Sequence, residues 1–199
     1  LVGSEMCIRD RWPTPSAAVI RCQDPDMAET MLNHVESLKK ERDSIGSRVD
    51  LIIGGLPMGL GEPWFDGLEP ALGRALLAVP GARAIEFGQG TRALAMRGSD
   101  HHGGWHPTEK GPVLHTDVAE GALGGMASAA DLVVRLTLKP PSSIPQPMPT
   151  VDLANGEATT LSVKGRHDPV LGPRGVAVVE AIAALVVTDL ALRGGYLNG

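Results

Sequence analysis

The stretch "DLVVRLTLKP", residues 131–140, alternates: Leu132, Val134, Leu136 and Leu138 fall on one side, and Arg135, Thr137 and Lys139, after Val133, on the other. A period of two is the signature of a β-strand with one buried face. Pro140 has no amide proton to give a neighbouring strand, so the strand ends there with Lys139 at its tip. Downstream, "KPPSSIPQPMP" (139–149) is too rich in proline for regular structure. Asn155-Gly156 is a strong turn signal that joins "TVDL" to "EATTLSV" as a hairpin. After the loop "KGRHDPVLGPRG" (164–175), residues 176–192 form a long apolar helix with one polar line through Glu180 and Thr188.

Upstream of the strand the pattern mixes helix and strand signals. Asp24-Pro25 reads as a helix start, with Asp accepting first-turn amides and Pro tolerated at the first position. Met27, Met31, Val35 and Leu38 then form an apolar stripe, Glu36 and Lys40 pair on the wet side, and Gly46 stops the helix. "RVDLII" (48–53) reads as a strand and 54–63 as a glycine-rich loop. A second helix opens at Asp66 or Pro70 and runs through Ala78, followed by short strands at 84–87 and 93–97. "GSDHHGGWHPTEKGP" (98–112) breaks all periodicity and reads as a polar loop. Antiparallel-style strands with helices between them make the class α+β.

The composition sets outer bounds. The 199 residues are 43% hydrophobic but only 3% aromatic, so a core must be built from Ala, Val, Leu and Ile. A net charge of −5 argues against a general nucleic-acid surface, although a local basic pocket stays open. The apolar stretch 176–192 is short for a membrane span and carries Glu180 and Asp189, so it reads as a core or subunit-interface helix. Leu1–Arg11 is no signal peptide, because Arg9, Asp10 and Arg11 interrupt its short apolar run. Its back-translation resembles a transposon-end adapter from sequencing libraries, so residues 1–11 are expected to be a non-native tail and 12–199 the portion that folds. That leaves Cys22 as a single native cysteine, which favours a reducing, cytoplasmic setting.

Three loops concentrate groups able to do chemistry. In "EGALGGMASA" (120–129), Gly124 and Gly125 allow backbone to approach a ligand, or simply turn the chain. In "LKPPSSI" (138–144), Lys139 precedes the adjacent hydroxyls Ser142 and Ser143 in a stiff loop, which suits a phosphate or merely a solvated surface. In "KGRHDP" (164–169), Arg166 can fork onto an anion while Asp168 stays ionised and handles a proton; an Arg–Asp surface turn is the plainer reading. His101, His102 and His106 lie close in sequence, but without a helix face or a second ligand pair they do not read as a metal site.

The segments "DPDMAETMLNHVESLKKERDSIGSRV", "GLPMGLGEPWFDGLEPALGRALLAVPGARAIEFGQG", "RGSD", "LKPPSSI" and "KGRHDP" occur in an order and spacing that resemble chorismate synthase. The resemblance runs from about Cys22 to about Arg193. It implies helices sandwiched between antiparallel sheets, a cytoplasmic homotetramer, and a place in aromatic amino acid biosynthesis, the shikimate pathway. The implied reaction is a trans-1,4 elimination of phosphate from 5-enolpyruvylshikimate 3-phosphate to give chorismate. It requires reduced FMN (FMNH2), with NADPH associated but the source of the reducing electrons left open, and no metal, no nucleic acid and no membrane.

Matched motif by motif, the resemblance assigns Lys139, Pro140, Ser142 and Ser143 to the flavin-binding loop, Gly124 to the glycine turn, Arg166 to a flavin contact and Asp168 to the acid near flavin N5. His167 is implied as an orienting neighbour. This chain departs from the family pattern at Pro141, where Thr is usual, at Glu120, where Gly is usual, and at Met126-Ala127 and Ala129, where Ile-Ser and Gly are usual. The two catalytic histidines, a basic substrate-binding segment and an Arg-Ser-rich flavin motif of the family's first half have no counterpart, so a native chain is expected to continue upstream and the present one to lack turnover alone. A non-catalytic flavin- or nucleotide-binding relative is the alternative reading, and a His-loop metallohydrolase a third.

Overall fold

The computed structural model describes residues 15–101, 104–109, 111–114 and 120–197. The tail expected at residues 1–11 lies outside them, as does His102. The described residues divide into two compact units, one within 48–137 and 176–197, the other within 15–47 and 138–175.

In the first unit the strand that opened the reading, β7 (Leu132–Leu138), is the middle of a three-stranded sheet between β1 (Ser47–Ile53) and β2 (Ala82–Phe87). Leu132, Val134 and Leu136 are buried, as are Val49, Leu51 and Ile53 of β1, while Arg48 and Asp50 pair on the outer face at 2.7 Å and 3.0 Å. Alternation thus translates directly into one dry face. Helix α3 (Leu68–Leu77) adds Leu68, Leu72 and Leu76 to the core, and the long helix α5 (Gly172–Arg193) adds Val179, Ala183, Val187 and Leu190. Each such side chain contributes about 1.5–3 kcal/mol on leaving water. Helix α5 starts four residues before the expected 176, and at 22 residues it is long and apolar enough to cross a bilayer. One stripe of it is buried against the first unit's core, and it carries Glu180 and Asp189.

Residues Gly90–Ala95 form a 3-10 helix, not a strand, because the Glu86 carboxylate accepts from Thr91 N (3.2 Å) and Thr91 Oγ1 (2.7 Å) and folds the chain back. The stretch 98–112 is not all loop: helix α4 (Gly98–His101) is followed by an antiparallel hairpin of β3 (Trp105–Thr108) and β4 (Gly111–Leu114), in register Trp105 to Leu114. A second small hairpin, β5 (Ala122–Leu123) with β6 (Met126–Ala127), turns through Gly124-Gly125. A side chain on Gly125 would come within 2.3 Å of the Glu62 carbonyl, so the "GLGEP" loop and this turn can meet only through glycine.

The second unit begins with α1 (Pro15–Ile20) and α2 (Pro25–Glu41). Asp24 caps α2, accepting from Asp26 N and Met27 N at 3.0 Å each. The buried residues of α2 are Ala28 and Val35; Val35 lies on the expected stripe, whereas Met27 and Met31 stay nearly half exposed and Ala28 takes the buried place in the first turns. Glu36 pairs with Lys39 rather than Lys40, and the helix ends at Arg42 in the left-handed region, before Gly46. The Asn155-Gly156 turn joins β8 (Met148–Val151) to β9 (Ala158–Leu161) as expected.

Candidate functional site

All the expected site residues except Gly124 lie in the second unit. Lys139 sits half-buried just beyond Leu138, and Pro140, Ser142 and Ser143 are exposed on the loop that follows. That loop is fastened at several points. The Ser44 hydroxyl donates to Pro141 O (2.7 Å), Arg42 Nη2 donates to Pro145 O (2.7 Å), and Ser162 Oγ donates to the same carbonyl (2.9 Å). Gly46 faces the Leu138 carbonyl so closely that a Cβ there would lie 3.1 Å away. The proline-rich loop is therefore a rigid platform, with its two serines outward.

The second loop is tied to the same short segment. Ile45 N donates to Pro169 O at 2.8 Å, one residue beyond Asp168. Consecutive residues Ser44 and Ile45 thus hold the two loops that carry Lys139 and Asp168, residues 29 positions apart in sequence. His167 is half-buried, and its Nε2–H donates to Val163 O at 3.1 Å, which ties the ring to its own loop. Arg166 is exposed. Asp168 is half-buried, and its Oδ2 accepts from Arg174 Nη1 in the first turn of α5.

The electrostatics are one-sided. Among the described residues, no carboxylate pairs with Lys139, Lys164 or Arg166, while Asp168 is held by Arg174. A basic loop pair inside an acidic chain suits a ligand with a phosphate, since Arg forks onto phosphate oxygens and Lys adds a point charge. Flanking hydroxyls at Ser142 and Ser143 supply further donors. The residues therefore fit the phosphate tail of a flavin mononucleotide.

Sequence reasoning missed Arg174, Ser44, Ile45 and Arg42. The motif "DSIG" carried the resemblance without a role; its work is to clamp both loops. Arg174 stands six residues after Asp168, across a Pro-Gly-rich turn, and only the folded loop shows which cation Asp168 meets.

In the first unit, Gly124 has φ +61 and nothing within 4 Å of where a side chain would stand, so it is an exposed, open corner of the β5–β6 turn. At the base of that hairpin the Glu120 carboxylate accepts from His101 Nε2 (3.0 Å) and Gln89 N (3.3 Å). The Glu120 side chain packs over Gly88, where a Cβ would meet its Cγ at 2.7 Å, so this departure from the family glycine is accommodated locally. Burial first, and then the Glu120 charge, raise the Glu69 carboxyl above its usual range; hydrogen bonds from Thr91 lower that of Glu86.

The sequence model of the family described as chorismate synthase matches residues 6–192. Curated relatives named chorismate synthase include one from Methanosarcina acetivorans, 42% identical over 90% of this chain and 49% of its own. Another, from Aeropyrum pernix, is 43% identical over 87% of this chain and 46% of its own. A third, from Synechococcus sp., is 40% identical over 88% and 49%. The chain spans about half the length of the curated relatives it matches. A solved structure titled as the crystal structure of chorismate synthase superposes with a TM-score of 0.70 at 22% identity, over 87% of this chain and 45% of that one. That likeness shows the α+β fold.

Proposed function

Because the chain belongs to the chorismate synthase family, we propose that it supplies the flavin-anchoring part of an enzyme that eliminates phosphate from 5-enolpyruvylshikimate 3-phosphate to give chorismate. In that reaction one ring C–H bond and the C–O bond to phosphate break, a new double bond forms, and phosphate leaves with the C–O electron pair. The atoms and electrons balance without net oxidation. Reduced FMN, when bound, lends electron density to the ring that loses phosphate.

The observation that carries the reading is the pair of loops clamped by Ser44 and Ile45, on which Lys139, Lys164 and Arg166 have no carboxylate partner among the described residues. Lys139, Ser142, Ser143 and Arg166 hold the cofactor phosphate, and Pro140 stiffens the loop that presents the serines. Asp168 handles a proton through Oδ1, because Oδ2 is taken by Arg174. His167, with Nε2 committed to Val163, orients the loop. Gly124 is the open glycine corner that the resemblance assigns to the flavin side. A cytoplasmic homotetramer belongs to the same reading.

The test is a chimera in which this chain replaces the matching half of the Methanosarcina acetivorans relative. It is expected to turn over substrate with reduced FMN, and Asp168→Asn to lower kcat about 10²–10⁴-fold, the usual worth of a placed acid–base group. Flavin binding without elimination would instead favour a non-catalytic binding relative, a second reading that the departures at Glu120 and at left-handed Ala129 support.

A further inference from the structure

We infer that Arg174 is a positioning residue that keeps the Asp168 carboxylate off Arg166, leaving the Arg166 guanidinium open to an anionic ligand. The inference rests on the reading of Arg166 as a phosphate contact and deepens it. Arg166 and Asp168 are two residues apart, and in a free loop they are each other's nearest opposite charge. The folded loop separates them in function. Asp168 Oδ2 is bonded to Arg174 Nη1, and no carboxylate pairs with Arg166 among the described residues.

Three contacts keep the carboxylate turned toward the helix. Pro169 O, next to Asp168, accepts from Ile45 N, which fixes the backbone that carries the acid. On the far side of Arg166, the His167 ring is bonded to Val163 O. The start of α5 is seated as well: Gly172 lies against Ser47, whose Oγ would be 3.0 Å from any Cβ placed there. Arg174 therefore projects from a fixed helix turn toward a fixed loop. Its own exposure, 77%, matters, because an exposed ion pair contributes little stability but can still decide which of two cations a carboxylate occupies. Without Arg174, Asp168 competes with phosphate oxygens for the Arg166 fork.

The test is FMN binding by the 199-residue chain, followed by flavin fluorescence at low ionic strength, where charge effects are least screened. Arg174→Gln is expected to weaken binding about fivefold, the scale of one exposed ion pair. Arg174→Lys is expected to bind like the parent, and Asp168→Asn combined with Arg174→Gln to recover the parent affinity within about twofold. That recovery is expected if the freed Asp168 carboxylate is what occupies Arg166, and a purely structural role of Arg174 does not produce it. If Arg174→Gln binds like the parent, or if the double variant stays as weak as Arg174→Gln, the inference is overturned and the reading of Arg166 stands. If Arg166→Ala binds as well as the parent, or the parent ignores FMN, the reading itself fails and takes the inference with it. Should Arg174→Gln not fold, Arg174→Lys decides: lost binding in a folded Lys variant counts against a charge role.

Discussion

Ala129 carries a backbone angle, φ +66, that an L side chain adopts only under strain. The family resemblance puts glycine at this position. A left-handed residue costs about 1–2 kcal/mol, partly offset by the roughly 0.5–1 kcal/mol that glycine loses through its freer unfolded chain. Ala129→Gly should therefore stabilise the protein by about 0.5–1 kcal/mol, read as a higher urea midpoint at constant slope. A midpoint that stays put or drops contradicts the strain. Glu69 makes a pH-dependent case. Its carboxyl holds its proton more tightly folded than unfolded, first because it is half-buried and then because Glu120 is near. Its stabilising share is complete below about 4.5, the ordinary carboxyl value, and is lost as pH rises through the raised folded value. Glu69→Gln should accordingly be more stable than the parent near neutral pH, with the difference closing as pH falls below that range. Parallel stability curves across that interval would refute it.

Elements were legible to the extent that local chemistry specifies them. The Asp24-Pro25 start of α2 is one example: the side chain that sequence assigned as a cap accepts two first-turn amides. Asp24→Ala should cost about 1 kcal/mol, within the 0.5–2 kcal/mol of such caps, as measured by thermal or denaturant unfolding; no loss would mean that packing alone holds that turn. The face α2 buries was legible only in part. Val35 of the expected stripe is buried, but in the first turns Met27 and Met31 stay exposed and Ala28 is buried instead, a choice settled by packing, with α1 alongside. The 3-10 turn at 90–95 and the hairpin at 105–114 escaped for a related reason. A carboxylate that folds its own chain back and a ladder pairing Pro107 with Pro112 leave no hydrophobic period to read.

For the molecule as a whole, alternation in residues 132–138 and the long apolar run after residue 175 were enough to fix α+β and most of the first unit's core. Burial of apolar area depends on spacing along the chain, and spacing is written in the sequence. The motifs also marked the residue types of the candidate site, since phosphate asks for Lys, Arg and hydroxyls on stiff loops. Which of those groups meet is another matter. That Ser44 and Ile45 clamp the loops of Lys139 and Asp168, and that Asp168 takes Arg174 rather than Arg166, follows from long-range hydrogen bonds and one ion pair. Such contacts are chosen by three-dimensional closure, because a carboxylate pairs with the cation the fold puts within reach and not with the one nearest in the chain.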